Sequence, residues 1–120
     1  MRTPKMALGT RGEQLAAEYL AERGVSIIAR NVRTPYGELD LVGFHAEILV
    51  FFEVKTRRTD TYGYPEESIS GTKRAHLTAS AQAYVQDHPD LPGLWRIDVI
   101  AINLHPGQKP SIEWFENAVS

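Results

Sequence analysis

Ile48-Leu49-Val50-Phe51-Phe52-Glu53-Val54-Lys55-Thr56 decides how this chain is read. An apolar run, Ile48 to Phe52, passes straight into Glu53, Val54 and Lys55. A short run of aliphatic and aromatic residues that ends in charge is the pattern of a strand covered on both faces, at the centre of a sheet. Successive side chains of a strand point to opposite faces, so Glu53 and Lys55 share one face at its end.

Upstream, His45-Ala46-Glu47 is short enough for a hairpin, and Glu38 to Phe44 reads as a second strand. Its alternation puts Glu38, Asp40 and Val42 on one face and Leu39 and Leu41 on the other. Val25 to Arg33 is a further strand, rich in β-branched residues and ended by the turn Thr34-Pro35-Tyr36-Gly37. A helix is predicted from about Arg11 to Arg23. Thr10 and Glu13 have capping-box spacing, Leu15, Ala16, Tyr19 and Leu20 supply the apolar stripe, and Gly24 ends it.

Downstream, Arg57 to Glu67 contains charges, Gly63 and Pro65 and reads as loop. A second helix, from about Thr72 to His88 with Ser70 or Thr72 as cap, offers Ala75, Ala79 and Ala83 with Leu77 and Tyr84 to a sheet, and Pro89 stops it. Trp95 to Leu104 is a strand, and Ile112 to Phe115 a shorter edge strand. Short links make the first three strands an antiparallel meander. The second helix is long enough to cross over, so the strand at Trp95 should lie parallel to the one at Ile48. The predicted fold is α/β: a mixed central sheet of four to five strands flanked by helices, in the order α-β-β-β-α-β-β.

The chain has 120 residues, the size of one domain, expected to span 1–120 with its core from about residue 10 to residue 104. It has no cysteine, which excludes disulfide scaffolds, thiolate metal sites and cysteine nucleophiles and favours a reducing compartment. No apolar run approaches the ~20 residues of a membrane helix, and no apolar stretch follows Arg2 and Lys5 as in a secretory signal. A cytoplasmic protein is expected. The formal charge is −2, which argues against a surface that clings everywhere to nucleic acid. The charge is uneven: Met1 to Arg74 carries 11 basic and 10 acidic residues, the remainder 2 and 5.

Chemistry concentrates at Asp40, Glu53 and Lys55. The short hairpin can bring Asp40 across from Glu53 and Lys55, so that two carboxylates and an amine meet on one face. Hard oxygen ligands of this kind suit Mg²⁺ or Mn²⁺, and an ammonium beside them can orient a water or offset charge on a phosphoryl group. Charges at the end of so apolar a strand are expensive unless they are used. A same-face ion pair at a strand end is also an ordinary structural feature, and the residues by themselves leave both readings open.

Gly37-Glu38-Leu39-Asp40-Leu41-Val42, Leu49 to Arg57 with its Glu53-Val54-Lys55, Tyr62-Gly63-Tyr64-Pro65-Glu66-Glu67-Ser68, Lys73, and Arg96-Ile97-Asp98-Val99 closely resemble the YraN-like family of bacterial proteins, from Gly12 to about Leu104. That family resembles the restriction-endonuclease-like superfamily and, within it, archaeal Holliday junction resolvases. Their pattern is an acid on one strand followed by Glu-x-Lys on the next, matched here by Asp40, Glu53 and Lys55. The resemblance implies a Mg²⁺- or Mn²⁺-dependent endonuclease acting on DNA, with branched or junction DNA as substrate and a homodimer as the natural assembly for cutting two strands. It also implies Glu13 as a further acid beside the metal, where the residues alone allow a capping-box glutamate. The superfamily's proline-aspartate pair stands here as Leu39-Asp40.

Smaller roles fall to other residues. Glu38 reads as a supporting acid or an exposed strand end. Arg57, Arg58, Tyr62 and Tyr64 form a basic loop with aromatics that could hold a nucleic-acid backbone or stack on unpaired bases. Lys73, at the start of the second helix, could hold a phosphate. Asp98 reads as structural, paired with Arg96 or a helix. The alternatives to a nuclease are a binding module of the same fold without turnover, and a scaffold that contacts another protein.

Overall fold

The computed structural model describes residues 4–58 and 70–119. Its elements are α1 (Pro4–Glu22), β1 (Val25–Thr34), β2 (Gly37–His45), β3 (Ile48–Arg58), α2 (Gly71–Asp87), β4 (Trp95–Leu104) and β5 (Ser111–Val119). The strands form one sheet in the order β1-β2-β3-β4-β5. All pairs are antiparallel except β3 with β4, which run parallel from Leu49↔Trp95 to Arg58↔Leu104. This is the mixed five-stranded α/β arrangement read from the sequence, with α2 as the crossover.

The apolar run at Ile48 is central because both its faces are covered. Val50 and Phe52 pack with Leu41, Ile100 and Ile102 beneath Ala16, Ala17 and Leu20 of α1. Leu49 and Phe51 pack with Leu39, Val42, Ile97 and Val99 beneath Leu77, Ala81 and Tyr84 of α2. One helix therefore covers each face. At roughly 25 cal/mol per Å² of apolar surface removed from water, burying Phe51 and Phe52 gives each about 2 to 3 kcal/mol. α1 comes very close to β3 at Gly12, where a Cβ would collide with the Thr56 hydroxyl. Glycine at that position brings the helix down onto the strand.

Three expectations are corrected. α1 begins at Pro4, so Thr10 lies inside the helix and does not form a capping box with Glu13. β5 is nine residues long and ends in the buried Val119, so the core extends past Leu104. The simple alternation of β2 also fails, because Leu39 faces α2 and Leu41 faces α1. The break falls at Asp40, where the β1–β2 ladder pairs Arg30 with Leu41 and Val32 with Leu39 but skips Asn31 and Asp40. Asn31 has a left-handed backbone, φ 50°, which asparagine adopts more readily than most residues. At α2, Ser70 is the N-cap, its hydroxyl accepting from the Lys73 N–H at 3.1 Å. Tyr62 and Tyr64 lie outside the described residues.

Candidate functional site

The β2–β3 ladder runs from His45↔Ile48 to Leu41↔Phe52 and stops there, although both strands continue. Beyond that point the Asp40 carboxylate occupies the opening, its Oδ2 accepting from the Val54 backbone N–H at 2.8 Å. A backbone donor left by the parted ladder thus fixes the aspartate, which meets the requirement that buried N–H groups be paired. The split is also where the two helices reach around the sheet.

From α1 comes Glu13. Its carboxylate oxygen, one from Glu38 and one from Asp40 lie within 4.8 Å of one another. With its amide turned to satisfy both acids, Asn31 donates to Glu13 Oε1 at 2.8 Å and to Glu38 Oε1 at 3.2 Å. From β3 comes Glu53, only 4 % exposed. Its Oε1 is 3.6 Å from the Lys55 Nζ and 3.2 Å from the Nζ of Lys73, which comes from the first turn of α2. The centre is therefore divided. Three carboxylates stand together, and one buried carboxylate is gripped by two ammonium groups beside them. Among the described residues, no lysine, arginine or histidine forms an ion pair with Glu13, Glu38 or Asp40.

Proton affinities register this crowding. Burial, and then the charge of Glu53, push the Asp40 carboxyl up to about 7, against the smaller opposing pull of the Val54 hydrogen bond and of Lys73. Glu13 is raised as well, first by burial and then by Glu38, with the Asn31 hydrogen bond opposing. Carboxylates packed this closely without a cation favour a proton or a metal ion in their midst.

The structure brings Asp40, Glu53, Lys55 and Glu13 to one place. It adds Glu38 fully to the acid group and seats Lys73 on Glu53. Asn31 was missed. Its signal was an asparagine, a residue depleted in strands, within an otherwise β-prone run. Arg58 is exposed at the end of β3 and Arg57 is half-buried beside it. Asp98 is structural: fully buried, it accepts from Arg96 Nε at 2.9 Å, Trp114 Nε1 at 2.8 Å and the Asn117 N–H at 2.8 Å.

A mixed sheet covered by one helix on each face, with acids and a Glu-x-Lys pair where two strands part, defines a restriction-endonuclease-like α/β protein. Within that class the chain belongs to the uncharacterised protein family UPF0102, the YraN family, whose profile matches residues 12–102. It is 47% identical over 111 residues to a UPF0102 protein of Dehalococcoides mccartyi, covering 92% of this chain and 91% of the relative. It is 47% identical over 115 residues to one from Roseiflexus castenholzii, covering 93% and 92%. A UPF0102 protein of Syntrophotalea carbinolica is 40% identical over 118 residues, covering 98% and 95%. Among the described residues, no helix is long and apolar enough to cross a membrane.

Proposed function

We propose that the protein is a metal-dependent endonuclease that hydrolyses DNA phosphodiester bonds, with branched or junction DNA as the favoured substrate. One observation carries this reading. At the parting of β2 and β3, three carboxylates that form no ion pair among the described residues adjoin a buried Glu53 held between two lysines.

The donor set fits Mg²⁺ or Mn²⁺, which take hard oxygen ligands, keep several waters and tolerate carboxylates that also meet a substrate phosphate. Asp40, Glu13 and Glu38 would hold such an ion, with Glu53 beside them. When bound, it would supply Lewis-acid polarisation of a phosphoryl oxygen and lower the pKa of a water. The chain's own groups do the rest. The Val54 N–H holds the Asp40 carboxylate in one orientation, and Asn31 does the same for Glu13 and Glu38. Glu53 anchors the Lys55 ammonium at the open end of the strand. There Lys55 can donate a hydrogen bond to the attacking water or to a non-bridging oxygen as negative charge builds on phosphorus. Hydrolysis adds the water oxygen to phosphorus and breaks one phosphorus–oxygen ester bond. Two sites would cut two strands, so a symmetric homodimer is part of the proposal.

The test is cleavage of junction, flap and single-stranded DNA with Mn²⁺, run beside Asp40→Ala, Glu53→Ala and Lys55→Ala. Nicking by the native chain, lost in all three variants while DNA binding survives, supports the proposal. DNA bound but uncut across the whole panel refutes it and leaves a binding module of the same fold.

A further inference from the structure

On the α1 face of the sheet, at the same end as the acids, a concavity of about 790 Å³ opens between α1 and the connection from β4 to β5. That volume lies within the roughly 300–1,000 Å³ of small-ligand sites. Its floor is apolar, with Leu8, Leu104 and Pro110. Arg11, Arg58 and Lys109 converge on it from three different elements, and among the described residues no acid lines it. We propose that this concavity seats an unpaired nucleotide of single-stranded DNA, with the base on the apolar floor and the adjoining phosphates on Arg11, Arg58 and Lys109. The proposal rests on the nuclease reading only for the identity of the polymer.

Charge is the first support. The chain carries a net charge of −2, yet three cations gather here, and among the described residues none of them has an acidic partner within ion-pair distance. Like charges that face one concavity without neutralisation favour an anion between them. The floor selects the form of that anion. Duplex phosphates could use the cationic rim, but the bases of a duplex are stacked and cannot reach Leu8 or Leu104. An unpaired base has two apolar faces to lay against them.

Position and rigidity agree. On α1, Arg11 is two residues from Glu13, and Gly12 between them touches Thr56 of β3. Arg58 follows two residues after Thr56 and five after Glu53, which at ~3.3 Å per residue places it roughly 17 Å along the strand from that acid. A strand crossing the acidic centre would reach the concavity within a few nucleotides. The connecting turn is already built: Gln108 N–H donates to the His105 carbonyl at 2.9 Å, Gly107 takes φ 72°, and His105 Nε2 lies 2.7 Å from the Ser111 hydroxyl. A site formed before binding loses less entropy when it is filled.

The experiment is fluorescence anisotropy of the full chain with a labelled oligothymidylate in EDTA, across a salt series, beside a blunt duplex. Arg11→Gln, Arg58→Gln and Lys109→Gln combined should weaken oligothymidylate binding at least tenfold. The combination should also lower the slope of log affinity on log salt by about 2, since each phosphate contact on a single strand is worth ~0.7. Duplex binding should change less. Leu8→Ser should weaken oligothymidylate binding with its salt slope unaltered, and the melting temperatures report that both variants fold. No binding by the native chain at low salt, an unchanged slope in the triple variant, or equal losses on duplex and single strand would overturn the proposal. Oligothymidylate bound in this way by a protein that cuts nothing would refute the nuclease and leave the concavity standing. DNA cut by a protein whose triple variant binds normally would do the reverse.

Discussion

Replacing Asp40 with asparagine should stabilise the metal-free protein at pH 8, the opposite of what removing a group from a functional centre usually does to activity. The Asp40 carboxyl is raised from 3.8 to about 7 in the folded chain. Between those two values the folded state holds a proton that the unfolded state has released, so stability falls as pH rises through that window, and above it the whole penalty is present. At 1.36 kcal/mol per pH unit the penalty at pH 8 is about 4 kcal/mol. Rearrangement of the neighbouring acids should leave about 2 to 3 of it. Asparagine removes the charge and keeps an oxygen for the Val54 N–H, which Asp40 binds at 2.8 Å. For a domain of this size each kcal/mol moves the melting temperature by about 4 °C, so Asp40→Asn should melt roughly 10 °C higher than the native chain in EDTA at pH 8. The two should melt within a few degrees at pH 4. Thermal unfolding followed by circular dichroism at both pH values decides it. An Asp40→Asn chain that melts no higher at pH 8, or gains equally at pH 4, would refute the claim that uncompensated carboxylate charge strains this centre.

Under the proposed metal binding, the same strain should make a metal ion a stabiliser. Mn²⁺ at about 100 times its dissociation constant should add about 2.7 kcal/mol to the native chain at pH 7.5. Asp40→Asn should lose most of that increment, as melting in a Mn²⁺ titration will show. Gly12→Ala drives a methyl into the Thr56 hydroxyl and should cost about 1 to 3 kcal/mol in denaturant unfolding, with part recovered in the double variant carrying Thr56→Ala. Asp98→Ala leaves Arg96, the Trp114 indole and the Asn117 N–H without their acceptor. It should cost about 3 to 5 kcal/mol, measured in the same way.

What local pattern can encode was legible in the chain. The apolar run at Ile48, the helical stripes around Leu15 and Leu77, and the short links between the first three strands depend on residues near one another in sequence. Together with the crossover rule they determine the element order and the parallel pairing of β3 with β4. Glu53 and Lys55 share a face because strand geometry has period 2. The juxtapositions across the sheet were decided only by tertiary structure. Leu39 and Leu41 part company because Asn31, on a neighbouring strand, turns left-handed and the ladder skips Asp40. Glu38 joins Glu13 and Asp40, and Lys73 reaches Glu53, because the strands separate after Leu41↔Phe52 and the middle of α1 and the first turn of α2 both come to the gap. Arg11, Arg58 and Lys109 belong to three elements far apart in the chain and share a concavity only once those elements are packed. Periodicity states which way a side chain points along its own element, and distances between elements are set by packing and by local breaks in a strand's alternation.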